Sequence, residues 1–420
     1  MANTIKTLTA GDITRKALSI LHNELVFTKT INRSYDDRFA RSGAKNGGYL
    51  EIREPNQFTI RTGQVIDTQD VTETTQQLVL ATQMGVDVNF SSVELTLSLD
   101  DFAERILTPA ISRLAAEVDK TNIEACYPWV AQTYYTTITA KPGLVDVRGA
   151  RAKLNQGLAP IGNRNLLLDS LSANSIMSAA QAFMNPSSAI SRQYERGFMG
   201  DLAGFKFYES ETAPTHTRGS VADLTPTMDI TSDTTAIVNA RATVKLTSLL
   251  TTSTISKGDV FCVQGLYAVN PETKARYSHL MSFAVTTAIA NTTIDATEVY
   301  VSPTPYLTGA KQNCEVVTSS AAAAVVFATM TAANGTGWTC GTASTSRIHS
   351  LAYHKDAFAA VFADLEMPKG VDFAAREVFD GVSLRVVRQY DVVNDKFPCR
   401  IDVLFGQKTI RPGWACRIIG

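Results

Sequence analysis

Residues 98–131 read SLDDFAERILTPAISRLAAEVDKTNIEACYPWVA. Phe102, Ile106, Ala110, Leu114 and Val118 recur every four residues, which lines one face of a helix. Ser98 stands as an N-cap with Asp101 three positions on, a variant of the capping box. Asp100 and Asp101 are adjacent carboxylates, but neighbours on a helix point in different directions, so they suit a helix start better than acid–base chemistry. The pattern runs to about Ala131 despite Pro109 and Pro128. Some thirty residues at 1.5 Å each give about 45 Å, the length of a girder rather than of an enzyme's core helix.

On the N-terminal side, residues 9–31 read as an amphipathic helix capped by Asp12, with Ile13, Ala17, Leu21 and Leu25 at helical spacing. A polar stretch follows and ends on the turn signal Asn46-Gly47-Gly48. A long hairpin comes next. Leu50, Ile52, Phe58 and Ile60 alternate with polar residues on the way out, and Leu78, Leu80, Val86, Val88 and Phe90 on the way back. Between them, Arg61 to Gln77 is almost wholly polar and has no core of its own to bury. Such a loop is expected to project and to be held by a neighbouring subunit.

On the C-terminal side, Asn165 to Asp169 reads as a buried strand, Ser172 to Met184 as a helix and Ala203 to Tyr208 as a strand, with Gly200 to Gly204 as the turn before it. Arg347 to Tyr353 is strand-like, Lys355 to Leu365 reads as a helix, and Ser383 to Asp391 and Cys399 to Phe405 read as strands. The interval between these regions differs. In residues 216–347, 16 of 132 side chains are charged and 26 are threonine, so helical periodicity gives way to short β-branched runs at 242–246, 260–264, 283–287 and 299–301. This predicts an inserted all-β domain, a small barrel or sandwich.

The chain carries 39 basic and 40 acidic side chains, a net charge of -1, which argues against nucleic acid as its main partner. The N-terminus lacks the apolar core of a secretion signal, and the most apolar run, 321–330, is half the length of a membrane span. Folding in a cytosol is therefore expected, with the six cysteines as buried free thiols and the sequons at Asn291 and Asn334 without meaning. None of the five histidines sits at metal-ligand spacing. His354 reads as a core or helix-opening residue; a general base with Cys399 or Ser350 is the catalytic alternative. Gly335-Thr336-Gly337 resembles half a phosphate loop, lacks the Lys-Ser/Thr that should follow, and reads as a tight turn. No catalytic residue, metal or cofactor is implied. Arg41, Lys45, Arg53 and Arg61 near the hairpin suit ion pairs with a neighbouring copy, or plain solvation, better than contacts to packaged DNA.

Several stretches together resemble the coat proteins of short-tailed bacteriophages whose capsid fold carries an insertion domain. They are Val86 to Leu95 before the long helix; Lys257 to Phe261, Gly265 to Lys274 and Phe283 to Thr286; Leu351 to Phe358; and Arg400 to Gly406 closing on Arg411 to Ala415. The resemblance implies an α+β chain with the major capsid fold of tailed phages and herpesviruses, the Hong Kong fold. It implies an N-terminal arm over 1–45 and an extended E-loop over 46–90. A peripheral domain with the 98–131 spine helix would follow over 91–149. An axial domain in two parts, 150–215 and 348–420, would flank a barrel-like insertion domain over 216–347. It further implies a major capsid protein that self-assembles, as hexamers and pentamers, into an icosahedral procapsid and then an expanded head around double-stranded DNA. Scaffolding protein and portal would be partners, the packaged DNA would lie non-specifically on the inner face, and no membrane would be involved. The protein would pass from the host cytoplasm to the virion, and nothing marks a Lys–Asn crosslink. Candidate contacts between subunits are Arg53, Arg61, Asp259, Glu272, Lys274 and Arg276, the last four expected on or near an exposed insertion-domain loop where they could form ion pairs. The competing readings are a threonine-rich tail or surface adhesin, which predicts β structure throughout, and a hydrolase using His354 or a cysteine.

Overall fold

The computed structural model describes residues 17–21, 25–34, 49–66, 68–69, 73–91, 108–137, 140–181, 201–221, 227–229, 242–247, 253–290, 297–316, 337–338, 344–379 and 382–420. The chain divides into two units. The first comprises Met1–Ile52, Thr75–Ile123 and Phe358–Lys408, and the second Arg53–Thr74, Glu124–Ala357 and Thr409–Gly420.

The long helix, which belongs to the first unit up to Ile123, spans Thr108–Cys126, 19 residues, or about 28 Å at 1.5 Å per residue. It buries Ile111, Leu114, Ala115, Val118 and Ile123 as one stripe. Its expected start, with Ser98, Asp100 and Asp101, lies outside the described residues. The helix ends at Cys126, and Tyr127–Trp129 tightens into a 3-10 turn because Pro128 has no N–H to donate. The arm helix expected over 9–31 is not continuous. Residues 17–21 are helical, residues 25 and 26 are not, and a short helix restarts at Phe27–Thr30. The cause is Asp119 on the long helix, whose carboxylate accepts the amides of Val26 (2.6 Å), Phe27 (3.0 Å) and Thr28 (3.0 Å). These amides open the short helix and have no partner within it, so a distant carboxylate caps them.

The hairpin is shorter than the alternation suggested. Tyr49–Arg53 and Thr75–Val79 form a two-stranded sheet, with Ile52 and Leu78 buried. Thr82–Ser91 does not continue it. That strand pairs antiparallel with Lys396–Thr409 over ten positions, from Phe405↔Thr82 to Lys396↔Ser91. The register depends on Gly85, where an added Cβ would lie 2.5 Å from Asp402 Oδ1 and 2.6 Å from the Ile401 carbonyl. Lys396–Thr409 also pairs with Val382–Arg388 and Phe358–Ala363, and Val382–Arg388 pairs with Phe373–Phe379, completing five strands. Phe358–Ala363 corrects the helix expected over 355–365. Only Lys355–Ala357 is a 3-10 turn, and the next six residues are a strand buried at every position. A strand buried on both faces shows no period of two, so FAAVFA reads as helical by its alanines.

Among the described residues, the second unit contains two seven-stranded sheets. One runs in the order Thr133–Tyr134, Ala415–Ile419, Ser346–His354, Arg164–Leu168, Phe205–Glu209, Asp201–Leu202, with Thr215–Thr217 also on Ser346–His354. Arg164–Leu168 is buried throughout and runs parallel to Phe205–Glu209 after the helix Ser170–Gln181, as a crossover requires. That helix and Leu144–Gln156 bury Val147, Ala150, Leu154, Ala173 and Ile176 against Leu166, Leu168, Phe205 and Ile418. The turn at Ala203–Gly204 joins two strands, not a helix and a strand; both residues have positive φ (53° and 80°), as a two-residue hairpin turn needs.

The second sheet lies wholly within 216–347. Its order is Cys314–Val316, Val260–Val269, Arg276–Val285, Thr297–Ser302, Ala242–Thr247, Thr227–Asp229, with Gly337–Trp338 on Val260–Val269. Phe261, Leu266, Phe283, Val285, Val299, Val301 and Cys314 form its core. Ala131 and Ile419 join Val260 and Ala284 in a smaller cluster, so this sheet shares buried surface with the rest of its unit.

Candidate functional site

The described residues of 54–74 are joined to one another by polar contacts. Glu54 N–H donates to the Thr74 carbonyl at 2.9 Å, and Thr74 Oγ1 to Glu54 Oε2 at 2.7 Å. Further out, Thr59 N–H donates to Gln69 Oε1 (2.8 Å) while Gln69 Nε2 donates to the Thr59 carbonyl (2.7 Å). Arg61 donates to the Gly63 carbonyl and, at 2.9 Å, to that of Val65. Arg53 lies 3.4 Å from Glu73, both well exposed. The apolar side chains are what these contacts leave outside. Ile60 is 91% exposed, Val65 85%, Ile66 77% and Phe58 57%. A second apolar tip is the turn between Val382–Arg388 and Lys396–Thr409, where Val392 and Val393 are exposed.

The expected contacts on the other sheet divide. Glu272 and Arg276 are exposed on the hairpin Val260–Val269/Arg276–Val285, Arg276 lying 5.2 Å over the Tyr267 ring. Lys274 is half-buried with φ 57°, and its Nζ donates to the carbonyls of Ala310 (2.6 Å) and Gln312 (3.3 Å). Asp259 was expected near the surface and is instead 1% exposed. It sits opposite His216 Nε2 at 2.8 Å and accepts the amides of Ser256 (2.8 Å) and Gly219 (3.1 Å). It is an internal brace, because a carboxylate met by three donors is stable only where they converge. Arg41 and Lys45 lie outside the described residues.

The catalytic alternative finds little to stand on. His354 Nδ1 accepts the Asp356 amide at 3.2 Å, and its ring meets Trp414 edge-on at 5.3 Å; both contacts fix a turn. Burial holds its pKa below the ordinary histidine value. Cys126, Cys262, Cys314, Cys399 and Cys416 are buried free thiols, as expected, and Cys340 lies outside the described residues. Burial pushes Cys399 up to about 11 and Cys126, Cys314 and Cys416 up to about 12, away from the thiolate a nucleophile needs. Among the described residues, no cluster of three His, Cys, Asp or Glu side chains is placed to hold a metal, and no helix is long and apolar enough to cross a membrane. The α-helices and parallel strands disagree with an all-β adhesin.

A family model described as "P22 coat protein - gene protein 5" matches residues 12–417. The chain belongs to the P22 coat protein family. It is a major capsid protein of the phage shell, and its place is the virion. The mixed α+β class and the capsid fold expected from the sequence go with that membership. No curated protein sequence matches. Among solved structures, the chain is similar to one from Mycobacterium phage Che8, with 12% identity, 94% of this chain and 90% of that one covered, and a TM-score of 0.46. It is also similar to the capsid of Cyanophage P-SCSP1u (10% identity, 89% and 83% covered, TM-score 0.43) and to the mature capsid of bacteriophage PhiM1 (10%, 89% and 82%, 0.42).

The exposed apolar side chains at the two tips were not singled out in the sequence as contacts. The signal was present in Val65-Ile66 and Val392-Val393, apolar pairs inside polar turns.

Proposed function

We propose that the capsid protein closes its shell by laying the 54–74 loop on a neighbouring copy, in hexamers and pentamers. One observation carries this reading: Phe58, Ile60, Val65 and Ile66 stay exposed on a loop whose Thr59, Arg61 and Gln69 are tied within the loop itself. Covering such a patch contributes about 25 cal/mol per Å², whereas exposed ion pairs such as Arg53–Glu73 contribute about 1 kcal/mol or less. Residues 216–347 form an inserted β-rich domain. The supporting observation is that Thr215–Thr217 and Ser346–His354 pair antiparallel, with Thr217 opposite Ser346, so the chain leaves and re-enters at one place. Glu272 and Arg276 offer this domain's contact to another subunit. Scaffolding protein, portal and packaged DNA are its further partners, the last held without sequence preference, as a net charge of -1 suits.

The test is electron microscopy of the expressed protein, alone and with a candidate scaffold, for the wild type and for Ile60→Asp/Ile66→Asp. Closed shells are expected from the wild type, and soluble folded subunits without shells from the double variant. Shells of normal yield from the variant would reject the loop as the closing contact.

A further inference from the structure

Five side chains from five separate segments meet inside the second unit. They are Tyr127 of the 3-10 turn, His216 of Thr215–Thr217, Asp259 of the turn before Val260, His349 of Ser346–His354 and Arg417 of Ala415–Ile419. Tyr127 is 9% exposed and the other four 2% or less. With His216 Nε2–H donating to Asp259, its Nδ1 is left to accept from the Tyr127 hydroxyl, 3.3 Å away. Arg417 donates to the carbonyls of Gly258 (2.6 Å) and Pro128 (3.2 Å), and its guanidinium lies 5.4 Å from the Tyr127 ring centre. Gly258 holds φ 96° there, and a Cβ on it would come within 3.2 Å of the His216 ring.

His349 is the odd member. Its ring lies 5.2 Å from that of His216 and 6.3 Å from that of Tyr127, it has no exposed surface, and among the described residues neither ring nitrogen has a hydrogen-bond partner. A neutral imidazole tolerates this position at a cost; an imidazolium would be a second cation next to Arg417. The cluster's carboxylate, Asp259, already has three donors. The other charged side chains at hand on these segments are cations too. Arg347 lies two residues from His349 on the same strand, hence on the same face, Arg218 directly follows the strand of His216, and Lys257 lies within the Ser256–Asp259 turn. Arg218 is held by the Val221 carbonyl at 2.8 Å.

We propose that this cluster is an acid-sensitive latch. One proton taken from solvent by His349 releases the Ser256–Asp259 turn from the segments it binds. Burial first, then the charge of Arg417, keeps the folded-state pKa of His349 well below 6.5. The sign follows. The stabilisation is fully present above pH 6.5, where His349 is neutral in both folded and unfolded chains, and is lost as the pH falls below 6.5 and only the opened form takes the proton. The latch is a property of the subunit and does not rest on how shells close.

The test uses the full chain, wild type and His349→Leu, in urea titrations at pH 7.5, 6.5 and 5.5. Since neither ring nitrogen is bonded, the leucine variant is expected to be at least as stable at pH 7.5. Between pH 6.5 and 5.5 the wild-type unfolding equilibrium should rise about fivefold more than that of the variant. Amide exchange at 256–260 should rise with it in the wild type alone. Equal pH slopes, or protection at 256–260 that does not respond to acid, would overturn the latch. Should the variant fail to fold, exchange of the His349 ring C2 proton in the wild type reads its protonation directly. A midpoint well below 6.5 is expected, and an ordinary value near 6.5 rejects the proposal.

Discussion

Asp119 caps three amides of a segment more than ninety residues away, and its side chain also accepts from the Thr28 hydroxyl, which takes a further hydrogen bond from Asn122 Nδ2 at 2.8 Å. Burial raises its pKa, yet the donors keep the site useful. Asp119→Ala leaves buried amides without an acceptor and should lower the stability of the first unit by at least about 2 kcal/mol, read from urea unfolding followed at the first unit's amides. Gly85→Val should cost as much, about 1–3 kcal/mol, because its side chain meets Asp402 and the Ile401 carbonyl and the ladder must shift to admit it. His279 stacks on Tyr277 at 5.2 Å, and burial, with Lys153 nearby, lowers its pKa to about 4. A depressed histidine stabilises fully above 6.5 and loses that contribution as the pH falls from 6.5 toward about 4. His279→Gln should therefore flatten the acid limb of the stability profile in that window while leaving amide exchange at 256–260 unchanged, which separates it from His349.

At the scale of elements, the hairpin Val260–Val269/Arg276–Val285 carries the revised contact hypothesis. Lys274 is tied to two carbonyls across its own turn, so Lys274→Glu should destabilise the hairpin itself and say nothing about neighbours. Glu272 and Arg276 are exposed, and reversing both charges should leave the subunit's urea midpoint within about 0.5 kcal/mol of wild type while lowering shell yield in sedimentation. Unchanged yield would remove this hairpin from the list of contacts. The strand Lys396–Thr409 is the counterpart in the first unit. It pairs with three strands, and Ile401, Val403 and Phe405 are buried along it, so a single buried charge such as Val403→Asp should unfold that unit at ambient temperature.

For the whole molecule, a container protein needs surfaces that stay open until a copy covers them. On the proposed reading the 54–74 loop, with Ile60, Val65 and Ile66 exposed, would meet that need, and the exposed Val392–Val393 turn would offer a second such surface. The interval 216–347 holds a sheet with its own core but also supplies Gly258 and Asp259 to the buried cluster around Arg417. Expressed by itself, the interval should show β-type circular dichroism. Its melting temperature should lie below that of the same sheet in the full chain, since Arg417 and Tyr127 are then missing. An unstructured spectrum would show that the interval depends on the rest of the chain to fold.

What the sequence determined by itself were the features written in local pattern. The stripe of the long helix, the alternation in Tyr49–Arg53 and Thr82–Ser91, the buried run Arg164–Leu168, the threonine-rich interval and the buried thiols all follow from side-chain period and composition, which need no knowledge of partners. Tertiary structure decided the rest. Phe358–Ala363 is a strand because both its faces are covered, a fact its alanines hide. Leu144–Gln156 escaped notice because Gly149 interrupts it, and the glycine is there because a Cβ would strike the Tyr134 ring at 2.2 Å. The arm helix breaks at residues 25–26 because Asp119 arrives from elsewhere. Asp259 stands in a polar turn and reads as a surface charge; only the convergence of His216, Gly219 and Ser256 makes it an interior one. The long helix was legible because its period is carried in consecutive residues. The buried cluster was not, because its five members are scattered from Tyr127 to Arg417 and each, taken in its own segment, looks ordinary.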